Sequence, residues 1–186
     1  MKKWIAVSIG GRDRPGIVAN VSRVLYHNRC NIEDLSQTAI RGQFAMILIA
    51  SVPTEEGGGG LKEDLAGLAG DLALDIRLRE IDEPEMSPYD PGDAEPFVIT
   101  VRGEDRPGLV YGITEILAEQ GINITHLDAE VARIGGQLEY IQVYQVDLPR
   151  KVDLAHLQEK LRERGQDMGV KVDLQHRDIF RAINQI

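Results

Sequence analysis

The feature that most constrains this chain is that it repeats itself. Gly11-Arg12-Asp13-Arg14-Pro15-Gly16-Ile17-Val18 returns 92 residues later as Gly103-Glu104-Asp105-Arg106-Pro107-Gly108-Leu109-Val110. Each copy follows a short apolar run, Ile5-Ala6-Val7-Ser8-Ile9 in the first and Phe97-Val98-Ile99-Thr100-Val101 in the second. The register holds onward, because Asn31-Ile32 returns as Asn123-Ile124. A repeat of this kind is one structural unit used twice, here organised around a strand–loop–helix corner.

The residues of the corner predict its chemistry. Proline fixes φ near the helical value and lacks an N–H, so Pro15 suits a first helical position. It also biases Arg14 out of the α region and sets a boundary there. Gly16 has no Cβ and admits close approach of another backbone or a ligand. The free N–H groups of a helix's first turn, at the positive end of its dipole, can receive a carboxylate or phosphate. An ordinary helix start, with Asp13 capping its own N–H groups, is the alternative reading.

Along the first copy, a strand is expected from Trp4 to Ile9 and a helix from Pro15 to His27, with Ile17, Val21, Val24 and Leu25 on its apolar face. A second strand runs from Asn31 to about Arg41. Its alternation slips phase, with Ile32 in one phase and Leu35, Gln37 and Ala39 in the other; Ile124 against Leu127, Ala129 and Val131 repeats the slip. A repeated slip predicts a β-bulge that re-aims Asp34 and His126. Arg41-Gly42-Gln43 and Ile134-Gly135-Gly136 are hairpin turns. The strand from Phe44 to Ala50 is apolar on both faces and reads as central, with Leu138 to Val146 as its counterpart. Gly57 to Gly60 lacks the Lys-Ser or Lys-Thr of a phosphate loop and reads as a flexible connection. A second helix carries Leu61, Leu65, Leu68 and Leu72, and a fourth strand runs from Leu74 to Arg79. The second copy closes with Leu154, Leu157 and Leu161 on a helix and Val170, Val172 and Leu174 on a strand. Ile179, Phe180, Ile183 and Ile186 make the tail an amphipathic helical end.

Each unit is therefore β-α-β-β-α-β. The fold class is α+β: two ferredoxin-like units, each a four-stranded antiparallel sheet with both helices on one face. The expected domains are 1–82 and 96–186, joined by a linker at 83–95 whose prolines and acids suit an extended spacer, mobile or draped on the surface. The helix-free sheet face, or the exposed second-strand edge, calls for a partner. The other copy in the chain is the nearest one.

Composition narrows the functions. A formal net charge of −9 opposes broad nucleic-acid binding, which needs a basic footprint. The single cysteine, Cys30, excludes an internal disulfide and reads as a structural thiol. His27, His126, His156 and His176 are scattered without metal-ligand spacing, so no metal, cofactor or catalytic residue is expected. Tyr140 and Tyr144 share a strand face and read as core or interface. No long apolar run or basic leader is present, which points to a cytoplasmic protein without membrane insertion.

The order of elements, the Asp-Arg-Pro-Gly corner and the Asn-Ile strand opening resemble the ACT domain. Two such domains without a catalytic domain resemble the glycine cleavage system transcriptional repressor group. The corner alone also resembles the regulatory module of formyltetrahydrofolate hydrolase. The resemblance implies a non-catalytic regulator that senses a small molecule, usually an amino acid, between paired domains. It acts through a protein partner such as a transcription regulator or metabolic enzyme, in glycine or other amino-acid metabolism, as a homo-oligomer such as a dimer. A ligand-independent interaction module, or a detached regulatory subunit of an enzyme, is the alternative. By position, the implied ligand contacts are Asp13, Arg14, Pro15, Gly16, Ile17, Asn31 and Ile32, and Asp105, Arg106, Pro107, Gly108, Leu109, Asn123 and Ile124. A ligand carboxylate would meet the helix N-terminus while the Asn side chain accepts from the ammonium. Arg12 becomes Glu104 and Asp34 becomes His126 in the second copy, so the two sites need not be equivalent.

Overall fold

The computed structural model describes residues 2–53, 60–82, 90–134 and 136–184. The chain divides into two compact units, Met1–Tyr89 and Asp90–Ile186.

In the first unit β1 (Lys2–Arg12), α1 (Ile17–His27), β2 (Asn31–Ile40), β3 (Gln43–Pro53), α2 (Leu61–Leu72) and β4 (Leu74–Ile81) follow the expected order. The strands form one antiparallel sheet in the order β2-β3-β1-β4. The core lies between this sheet and the two helices. Ile5, Val7 and Ile9 of β1 meet Phe44, Met46, Leu48 and Ala50 of β3, with Ile17, Val21 and Leu25 of α1 and Leu61, Leu65 and Leu68 of α2 above them. Each such side chain removed from water contributes about 1.5–3 kcal/mol. The reverse face carries Ala6, Ser8, Ala45 and Ile49 around Ile47, which is 58% exposed, with Trp4 farther along β1.

The second unit repeats the plan with β5 (Glu95–Gly103), α3 (Leu109–Glu119), β6 (Asn123–Ile134), β7 (Gln137–Leu148), α4 (Leu154–Met168) and β8 (Val170–His176), in the sheet order β6-β7-β5-β8. The tail forms α5 (Arg177–Asn184), which lies against β5 and β8, so this sheet meets a third helix. Within α5, Ile179 is exposed and Phe180 half-buried.

Several expectations change. α1 begins at Ile17, not Pro15. Residues 15 and 16 form a turn, with Gly16 at φ 95° and ψ −8°. Gly108 repeats this at φ 92° and ψ −5°. A left-handed glycine after proline is the pattern of a type II turn, which explains both residues. β2 stops at Ile40, because Arg41 and Gly42 turn with φ of 49° and 78°, the pair of positive angles of a type I′ hairpin. Glu95, expected as the end of the linker, is the first residue of β5. Residues 83–89, and Gly57, Gly58 and Gly59 of the glycine run, lie outside the described residues. The predicted bulges are present: the β2 register shifts between Ile32 and Asp34, and the β6 register between Ile124 and His126.

Candidate functional site

The two corners keep their helix N-termini open. Neither Asp13 nor Asp105 caps the helix that follows, and neither α1 nor α3 has an acidic residue in its first turn. The other described helices differ. Asp153 caps α4, accepting from the N–H groups of Ala155 at 2.9 Å and His156 at 3.1 Å. α2 carries Glu63 and Asp64 in its first turn, and α5 carries Asp178. The positive ends of α1 and α3 are thus left without the usual internal counter-charge.

The corners differ in charge. Among the described residues Arg12 and Arg14 make no ion pair. Arg106 is paired with Glu104 at 2.7 Å, not with its neighbour Asp105, and this holds the Glu104 carboxyl below its usual range. The first corner is also tied to the β2–β3 turn, because the Asp13 N–H donates to the Gly42 carbonyl.

Of the candidate ligand contacts, Asp13, Arg14, Pro15 and Gly16 are exposed together on the first corner, as are Asp105, Arg106, Pro107 and Gly108 on the second. Ile17 and Leu109 are buried in the two cores and can offer only backbone to a ligand, while Ile32 and Ile124 are half-buried against those cores. Asn31 and Asn123 are exposed but remote from their own corners. Arg12 pairs with Gln43 at one end of β3, whereas Asn31 pairs with Ser51 near the other. Eight steps along a strand span about 27 Å. In the second unit Gly103 faces Tyr140 and Asn123 faces Asp147, with a similar gap.

Glu33 is a contact that sequence reasoning missed. Its Oε1 accepts from Asn31 Nδ2 at 2.9 Å and from the Ser51 hydroxyl at 2.8 Å. This leaves Asn31 Oδ1 oriented as an acceptor beside a carboxylate, a fit for an ammonium group. Thr125 takes the equivalent place in the second unit, where its hydroxyl donates to the Gln145 carbonyl at 3.2 Å. The re-aimed residues of the bulges also find partners. Asp34 Oδ1 accepts from the Leu35 N–H, and His126 Nε2 lies 2.8 Å from Asp128 Oδ2. Cys30 is half-buried, its thiol against the Asn28 carbonyl, and burial pushes its pKa up. No group of three or more His, Cys, Asp or Glu among the described residues could hold a metal ion. No described helix is long and apolar enough to cross a membrane.

A model of the ACT domain matches this chain twice, over residues 3–79 and 95–175. The chain belongs to the ACT-domain family. A UPF0237 protein of Methanopyrus kandleri is 39% identical over 90 residues, which are 48% of this chain and 96% of that relative. A UPF0237 protein of Methanocaldococcus jannaschii is 36% identical over the same length and shares. These relatives are each about the length of one ACT unit. The crystal structure of an unknown protein from Galdieria sulphuraria matches 95% of this chain and 99% of its own, at a TM-score of 0.75 and 26% identity. A candidate glycine cleavage system transcriptional repressor matches 94% of this chain and 97% of its own, at a TM-score of 0.62 and 21% identity, a likeness of fold. ACT domains are regulatory rather than catalytic modules, and this chain is a tandem ACT regulatory protein.

Proposed function

We propose that this tandem ACT protein senses an amino acid and passes the signal to a protein partner. The observation that carries the reading is the pair of open helix N-termini. They stand at equivalent corners of the two units, without a side-chain cap or first-turn acid, while the other described helices have one or the other. The ligand carboxylate meets the first-turn N–H groups, with Arg14 or Arg106 beside it. Its ammonium meets the Asn at the start of a second strand, most favourably Asn31 with Glu33. Since corner and Asn lie at opposite ends of one unit, a site using both takes the corner from one copy of the chain and the Asn from another. Antiparallel pairing of two β2-type edges brings such ends together. A homo-oligomer would supply that pairing.

The formal net charge of −9 favours action through a protein over direct contact with nucleic acid. Transcriptional control of amino-acid metabolism, glycine included, belongs to the same proposal, as does a cytoplasmic location. Thermal-shift measurement with each common amino acid, followed by calorimetric titration, tests it: a ligand stabilises the folded state by mass action. Absence of any shift or heat would favour a ligand-independent interaction module, for which the exposed Ile47 face of the first sheet is the supporting observation.

A further inference from the structure

The two units differ inside their cores, beside the corner. On the core face of β3 the side chains are Phe44, Met46 and Leu48; on β7 they are Tyr140, Gln142 and Tyr144. The register makes these columns equivalent, because Phe44 faces Gly11 and Tyr140 faces Gly103, the glycines that open the corners. The column therefore runs inward from the corner. Gln142 is fully buried at 0% exposure. Its Oε1 accepts from the Tyr144 hydroxyl, while its Nε2 has no hydrogen-bond partner among the described residues. An unmet carboxamide in a folded core is rare and needs an explanation. The first unit packs Met46 at this position without the problem.

We propose that Gln142 and Tyr144 form the inner, selective end of a ligand site in the second unit, specific for amino acids with a hydroxyl or carboxamide side chain. This rests on the reading of the Gly108 corner as a ligand site. A hydroxyl or carboxamide can accept from Gln142 Nε2 and donate to the Tyr144 oxygen in the same pose. A charged side chain is excluded, because the buried polar residues described in this unit are Thr100 and Gln142, neither of which carries a counter-charge to offset its desolvation. The first unit presents the thioether of Met46 instead and so selects apolar side chains. The two corners thus read different amino acids.

The test is thermal shift of the full chain with serine, threonine, asparagine and glutamine, against alanine, valine and leucine, all at millimolar concentration. Gln142→Met installs the residue of the first unit, and Tyr144→Phe removes only the hydroxyl. We expect the polar set to stabilise the wild type. Both variants should weaken its affinity at the second unit at least about tenfold, although Gln142→Met without ligand melts no lower than wild type. Binding of the polar set unchanged in Gln142→Met would overturn the inference and leave the corner reading intact. The same holds if the apolar set alone shifts the wild type. If neither set does, the corner reading falls and this inference with it.

Discussion

The backbone N–H of Asp13 donates to the carbonyl of Gly42 at 2.9 Å, which ties the first corner to the tip of the β2–β3 hairpin. The Asp13 main chain is thus engaged with the hairpin, and its side chain does not cap α1. The corner is shaped by backbone: a type II turn on one side and a type I′ turn on the other.

Gly16 and Gly108 sit at φ of 95° and 92°, a region where a Cβ costs about 1–2 kcal/mol. Space is not the obstacle at Gly108, where a Cβ would have nothing within 4 Å. Gly108→Ala should therefore lower unfolding free energy by about that amount through backbone strain alone. Urea denaturation measures it, and a midpoint equal to wild type would contradict the turn assignment.

Asp153 should behave unlike its counterparts at the corners. It caps α4 through two N–H groups, so Asp153→Ala should cost about 1 kcal/mol. Asp13→Ala and Asp105→Ala remove no cap and should leave stability near wild type. Thermal melts of the three variants decide this. Equal losses would mean that the corner aspartates cap their helices in solution.

Ligand affinity should respond to Asn31 more than to Asn123. Glu33 anchors Asn31, whereas Asn123 has no such anchor among the described residues. A charge-assisted hydrogen bond contributes roughly 1.5–3 kcal/mol, so Asn31→Ala should weaken binding about tenfold or more. Glu33→Gln should weaken it as well. Calorimetric titration provides the comparison, and unchanged affinity in both variants would remove this end from the site.

Tyr144 predicts an alkaline limb. Burial pushes its hydroxyl pKa up from the ordinary 10.0. A folded-state pKa above the unfolded one gives stability that is complete below pH 10 and is lost as pH rises from there toward the folded value. Tyr144→Phe should flatten that loss. Melting temperature followed from neutral pH to above pH 10 would show the limb in wild type and its reduction in the variant.

Much of the fold was legible because it is periodic. The phase slip after Ile32 and Ile124 located both bulges, since a strand keeps a strict period of two unless a residue is inserted. The doubly apolar run Phe44 to Ala50 marked β3 as interior to its sheet. The helix start was misread because proline adopts nearly the same φ at a first helical position and in a type II turn. Only the sign of the Gly16 angle separates the two.

The candidate site was less legible. Asn31 follows the corner closely in sequence, but α1 carries the chain back along the sheet first, so the two end far apart. Glu33 gave a weak signal, an acid two residues after Asn in one copy only. Tyr140 and Tyr144 read as sharing a strand face, but Gln142 between them draws no reading, because a glutamine gives no core signal in a sequence; it is buried all the same.

Because each corner is built from main-chain turns, its shape does not depend on which charged side chains surround it. Position 12 is arginine and position 104 is glutamate, yet the glycine angles at 16 and 108 differ by only a few degrees. A duplicated unit can therefore reverse the electrostatic character of one corner by replacing one side chain, without rebuilding its architecture. The two halves of this chain are free to drift toward different chemical tastes while remaining the same object geometrically.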